Sequence, residues 1–133
     1  MKILYSMTAV IELGAGLALL CFSSTTVQLL LGSPLDTPAA LTVARVGGAG
    51  LLSLGVACWL ARGDSQSPTA RGLVVAMLVY NIAAVAILTF AGVGLGLHGV
   101  ALWPAAILHG VMTAWCVACL RSSPLNIARK MNS

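Results

Sequence analysis

Four long apolar runs constrain the fold of this chain more than any other feature of its sequence. A helix needs roughly 20 apolar residues to cross the hydrocarbon core of a bilayer, and four stretches reach that length. They are Ile3–Phe22, Ala40–Ala61, Gly72–Ala91 and Val100–Leu120. Spanning strands would have to close into a barrel, for which four segments are too few. The sequence therefore predicts an all-α membrane protein, a bundle of four transmembrane helices surrounded by the lipid bilayer.

The composition agrees with a membrane protein of one domain. The chain has 133 residues, of which 59% are hydrophobic and 8% charged, whereas soluble domains carry about 25% charged residues. No polar linker divides it, so we expect a single domain over residues 1–133. The formal net charge is +4, but the basic residues flank the apolar runs instead of forming one phosphate-binding face. We therefore expect no nucleic-acid partner.

The distribution of basic residues predicts the orientation in the membrane. Basic residues are enriched on the cytoplasmic side of membrane proteins, and here they occur at the two termini and in the second connection: Lys2, Arg62, Arg71, Arg121, Arg129 and Lys130. The first and third connections carry only Asp36 and His98. The sequence thus predicts a multi-pass protein with both termini in the cytoplasm.

The first outer connection, Ser23–Ala39, is the longest of the three connections. Its apolar residues Val27 and 29–31 come just before Gly32, a residue that commonly ends helices. This pattern predicts a short helix lying in the membrane interface.

Ionisable residues inside the apolar runs are the candidates for a functional site. A charge at mid-bilayer costs at least about 2.5 kcal/mol on insertion scales, so such residues are rare. Three are present here, Glu12, Arg45 and His109. At 1.5 Å per residue, Glu12, Asn81 and His109 lie at similar depth and Arg45 nearer the outside. We expect Glu12 to pair with Arg45 or His109.

These four residues, Glu12, Arg45, Asn81 and His109, form the predicted ligand-binding cluster. A small neutral or anionic molecule would enter from the outer side, where Arg45 attracts an anion. The alternative is that the four side chains only hold the helices together, because polar contacts contribute roughly 0.6–2 kcal/mol between membrane helices.

Other chemistry has weaker support in the sequence. Cys116 lies two turns from His109 on the same helix, too far for both to hold one ion, so no metal site is predicted. The cysteines all lie in or at the ends of apolar runs, where they act as small hydrophobes. The segment GLGLHG, 94–99, matches a dinucleotide-binding pattern but lacks the preceding strand that the motif needs. No cofactor is indicated.

The overall plan resembles the small DoxX-like four-helix membrane proteins of bacteria. The resemblance rests on the polar residue in the first span, the amphipathic outer connection, and the second span ARVGGAGLLSLGVACWLAR with Arg45, Gly47, Gly48 and Gly55. It implies the fold and a location in the bacterial inner membrane. It implies no active site, because that family is functionally diverse.

Three classes of function remain open from the sequence. The central cluster could bind or transport a small molecule, or Glu12 and His109 could act as the acid–base pair of a membrane-embedded enzyme. The chain could also be an accessory subunit of a larger membrane complex. A transporter of this size would need to form a homo-oligomer, because four helices enclose little space.

Overall fold

The protein is described by a computed structural model that covers residues 1–65 and 67–131, with side chains up to Ser122. Within that part of the chain all regular structure is helical. The helices are α1 (Lys2–Cys21), α2 (Ser23–Leu31), α3 (Pro38–Ala61), α4 (Pro68–Val93) and α5 (Leu102–Met131), with one turn of 3-10 helix at Arg62–Asp64 after α3. The prediction of an all-α fold is confirmed.

Four of these helices are long and apolar enough to cross a membrane. The qualifying segments are Lys2–Cys21, Pro38–Asp64, Pro68–Val93 and Leu102–Ser122. They contain most of each predicted span, and the protein is a multi-pass membrane protein by this criterion. The last helix continues past the predicted end at Leu120 to Met131. The side chains of Arg129 and Lys130, on which part of the predicted orientation rests, lie outside the described residues.

Local signals explain where the inner helices begin. The Thr37 side chain accepts a hydrogen bond from the amide of Ala40, and the Ser67 side chain does the same for Ala70. Each capping residue is followed by a proline, whose missing N–H costs nothing in a first turn. The helix predicted in the first long connection is present as α2, which ends at Gly32 with a φ of 76°.

The spanning helices associate as two antiparallel pairs. In the first pair, α1 packs on α3 so closely that a Cβ added to Gly16 would lie 2.8 Å from the carbonyl oxygen of Gly48. Small residues allow membrane helices to approach in this way. In the second pair, α4 packs on α5, with Gly92 of α4 against Leu102 and Trp103 of α5. The two pairs make fewer close contacts with each other.

The core that joins the two pairs lies at one end of the molecule, which we call the Tyr5 end. Its fully buried residues come from all four long helices and are Leu4, Tyr5, Ala9, Cys58, Ala70, Val74, Met77, Met112 and Cys116. The Tyr5 hydroxyl donates a hydrogen bond to the carbonyl oxygen of Ala70 at 2.6 Å. This contact ties α1 to the start of α4.

At the opposite end, which we call the α2 end, helix α2 packs on the connection between α4 and α5. The amide of Ala101 donates to the carbonyl oxygen of Leu29 at 2.9 Å. Gly99 lies directly against the backbone carbonyl of Leu30, and Gly32 lies against His98. The glycines at these positions allow the two connections to touch, since a side chain would not fit at Gly99.

Candidate functional site

A cavity of about 590 Å³ lies between the two helix pairs, nearer the α2 end than the buried core. Its walls are formed by α1, α4 and α5, with one residue of α3, Leu51. Helix α2 borders it through Thr26, Leu29 and Leu30. The volume falls within the range of roughly 300–1,000 Å³ that is usual for small-molecule sites.

The walls of the cavity are almost entirely apolar. Alanine and leucine predominate, as in Ala15 and Leu19 of α1, Ala84 and Leu88 of α4, and Ala105 of α5. The hydroxyl of Thr26 already donates to the carbonyl oxygen of Ala18 at 3.1 Å. The wall is therefore suited to a hydrocarbon group.

Polar side chains lie together at the deep end of the cavity, next to the core. Glu12, Tyr80 and His109 are the lining residues of their helices nearest the Tyr5 end, or within one residue of it. The Tyr80 hydroxyl donates to Oε2 of Glu12 at 3.5 Å. The rings of Tyr80 and His109 meet edge to face, with centroids 5.4 Å apart and planes at 85°. Three helices thus bring one carboxyl, one phenol and one imidazole to the same place.

Asn81 holds the imidazole from behind. Nδ1 of His109 lies 2.7 Å from Oδ1 of Asn81, and Nδ2 of Asn81 donates to the carbonyl oxygen of Met77 at 2.7 Å. Asn81 is 2% exposed and does not line the cavity. It therefore positions His109 and leaves the ligand contacts to the three lining side chains.

The structure brings three of the four predicted site residues together. Glu12 and His109 line the cavity and Asn81 is hydrogen-bonded to His109, but Arg45 is exposed on α3 and does not line it. The buried face of α3 contains Gly48, Gly55 and Cys58. Arg45 is three residues before Gly48, which rotates it about 60° off that face.

The expected partner of Glu12 therefore differs from the one in the structure. Glu12 is 4% exposed, and its hydrogen bond comes from Tyr80. Among the residues described here, no ion pair joins Glu12 to Arg45 or to His109. Because Arg45 lies on another side of α3, it cannot supply the charge that the sequence suggested.

Sequence reasoning missed Tyr80. The search considered ionisable and amide side chains inside the apolar runs, and a tyrosine next to Asn81 was passed over. Two signals were available: Tyr80 lies at nearly the same depth as Glu12, and its hydroxyl needs a partner when buried in a membrane. Either would have placed it in the cluster.

Tyr80 also borders a second, smaller space. A groove of about 400 Å³ lies between α3 and α4 and is lined by Gly47, Gly50, Leu51, Leu54, Ala76 and Tyr80. Leu51 and Tyr80 line both spaces. These two side chains therefore separate the main cavity from the groove.

The site offers no cluster of metal ligands in the described part of the chain. No three histidine, cysteine or acidic side chains come together there. No family model matches the chain, and neither a curated protein nor a solved structure matches it. The chemistry of the cavity must therefore be argued from its own residues.

Proposed function

We propose that this protein binds a small, mostly apolar molecule with one polar end inside the membrane. The observation that carries the proposal is the division of the cavity into an apolar wall and a polar deep end formed by Glu12, Tyr80 and His109. Small-molecule sites commonly combine apolar walls with a few converging polar groups.

The cost of burying polar groups supports a function for the deep end. Ionisable side chains in a membrane are expensive, and packing alone does not require them. A carboxyl and an imidazole facing an apolar cavity would be stabilised by a ligand that hydrogen-bonds to them. The same hydrogen bonds would orient the ligand, with its hydrocarbon part along Ala84, Leu88 and Ala105.

The position of Arg45 changes the expected charge of the ligand. The sequence left both a neutral and an anionic molecule open, and the anionic one depended on Arg45. Because Arg45 does not line the cavity, a basic side chain for an anion is missing from its lining. A neutral ligand fits better, since an unpaired anion in an apolar cavity would lose its hydration without compensation.

The proposed setting is a bacterial inner membrane, as the resemblance to DoxX-like proteins implies. Both termini would face the cytoplasm, which places the α2 end at the outer surface with α2 in the interface. The cavity would then open toward the outer half of the bilayer, and an apolar ligand would reach it from the lipid.

A cavity-filling substitution tests the proposal. Ala84→Phe places a ring in the cavity, whereas Ala86→Phe places the same ring on the exposed side of α4. We expect native mass spectrometry of the wild type, purified in mild detergent, to show a bound small molecule. Ala86→Phe should retain it and Ala84→Phe should lose it. A ligand-free wild type that also binds no added apolar probe would refute the proposal.

An acid–base enzyme is the second candidate, because Glu12 and His109 line one cavity. General acid–base catalysis requires two such groups within reach of one substrate. Chemical identification of the bound molecule separates the two candidates. A binding protein releases the molecule that it took up, whereas an enzyme converts the added molecule into another.

A further inference from the structure

The hydrogen bonds around His109 determine which ring nitrogen faces a ligand and what it offers. Nδ2 of Asn81 is used as a donor to the carbonyl oxygen of Met77, so the amide cannot be reversed without opposing two oxygens. Oδ1 of Asn81 is consequently the atom next to Nδ1 of His109. An amide oxygen only accepts, so Nδ1 must carry the hydrogen.

This arrangement leaves Nε2 as the ring nitrogen available to the cavity. In a neutral imidazole with its hydrogen on Nδ1, Nε2 has a lone pair and no hydrogen. It therefore acts as a hydrogen-bond acceptor. The orientation is fixed by α4, because both Met77 and Asn81 belong to that helix.

Tyr80 contributes a second acceptor. Its single hydroxyl hydrogen is directed to Oε2 of Glu12, and the phenolic oxygen retains acceptor capacity. His109 and Tyr80 adjoin each other at the deep end of the cavity. Two neighbouring acceptors at the end of an apolar space select a ligand that supplies a hydrogen.

We propose that the bound molecule carries a hydroxyl group at its polar end and donates it to Nε2 of His109, so that the site selects lipophilic alcohols or phenols over their ethers. This inference rests on the proposed binding function and specifies its ligand class. An ether or ketone of the same shape offers only acceptors, which would leave the site without a donor.

A pair of matched probes tests the selection. 4-Hexylphenol and its methyl ether, 4-hexylanisole, share ring and chain but differ in the donor. We expect the phenol to bind the wild type roughly 5- to 10-fold more tightly, the effect of one neutral hydrogen bond. The His109→Phe variant keeps a ring without the acceptor, and there the ratio should fall to about 1–2, as expected without that bond. This variant also corrects for different partitioning into detergent.

The outcomes distinguish this inference from the function on which it rests. If both probes bind the wild type equally, the donor selection is wrong and the binding function stands. If neither binds, the binding function fails, and the selection fails with it.

A measurement on the wild-type site keeps the test independent of how His109→Phe folds. The chain has two histidines, and His98→Gln leaves His109 as the single ¹⁵N-labelled imidazole. The nitrogen chemical shifts should show a hydrogen on Nδ1 and none on Nε2, and 4-hexylphenol should shift Nε2. A hydrogen found on Nε2 of the neutral ring would overturn the proposal.

Discussion

The hydroxyl of Tyr5 lies 2.6 Å from the carbonyl oxygen of Ala70, to which it donates a hydrogen bond. Both residues are buried in the core at the Tyr5 end, Tyr5 completely. The bond connects α1 of one helix pair with the first turn of α4 in the other. Farther along, the pairs separate and the cavity begins. The Tyr5 end therefore holds together the two halves between which a ligand would bind.

We predict that Tyr5→Phe lowers the stability of the protein by about 1 kcal/mol, a typical net contribution of one hydrogen bond. The ring still fills the core, so the loss should stay well below that of a cavity-forming change. Thermal unfolding in detergent measures it. Tyr80→Phe is the matched control. Its longer contact with Glu12, 3.5 Å, should contribute less to stability, so an equal loss in both variants would contradict the assignment.

Two adjacent glycines of α3 allow a sharper test of the packing between α1 and α3. A Cβ on Gly48 would lie 2.9 Å from the carbonyl oxygen of Gly16, whereas a Cβ on Gly47 would have no neighbour within 4 Å. Gly48→Ala should destabilise the protein by about 1–3 kcal/mol through overpacking. Gly47→Ala should be neutral or slightly stabilising, because alanine favours helix over glycine. Thermal unfolding of both variants shows whether these helices pack as described.

The sequence predicts the helices well because membrane thickness sets their length. In lipid, each backbone polar group must be satisfied within its own segment, so an apolar run of about 20 residues has few alternatives to a helix. The helix α2 was predicted from its apolar residues before Gly32 for a similarly local reason. The pairing of the helices was not predictable, because it depends on which small residues meet across an interface.

The site was partly predictable for the same reason. Depth along each helix follows from a fixed rise per residue, and it placed Glu12, Asn81 and His109 at one level. Rotation about the helix axis depends on the neighbouring helices, and here the estimate for Arg45 failed. Because Gly48 and Gly55 turn α3 toward α1, the arginine remains exposed.

The exposed position of Arg45 leads to a direct prediction. Arg45→Met should change stability by less than about 0.5 kcal/mol, as expected for a surface side chain without a specific partner. Breaking a buried ion pair would instead cost about 3–5 kcal/mol. The measurement is thermal unfolding of Arg45→Met, of Glu12→Gln and of the double variant. Additive effects are expected, and a double variant more stable than Arg45→Met would restore the pair between Arg45 and Glu12.

The proposed orientation predicts which positions a reagent can reach from outside the cell. Ser33 lies in the first connection and should be outside, whereas the segment around Asp64 should be inside. Single cysteines introduced at these positions, in a chain whose four native cysteines are replaced, can be labelled in intact cells with a membrane-impermeant maleimide. Labelling at position 33 and protection at position 64 are expected. The reverse pattern would invert the molecule and place the cavity in the inner half of the bilayer.

The contact between Gly99 and the backbone of Leu30 should control the cavity from a distance. Any Cβ at position 99 would overlap the carbonyl groups of Leu29 and Leu30, so Gly99→Ala must push α2 away from the connection between α4 and α5. Leu29 and Leu30 also line the cavity, so this shift should weaken binding of an apolar probe. Gly110→Ala is the control, since a Cβ there meets nothing within 4 Å. Probe affinity, measured by displacement, should fall several-fold in Gly99→Ala alone, because a displaced wall loses roughly 25 cal/mol for each Å² of apolar contact. Unchanged affinity would mean that α2 does not form part of the binding site.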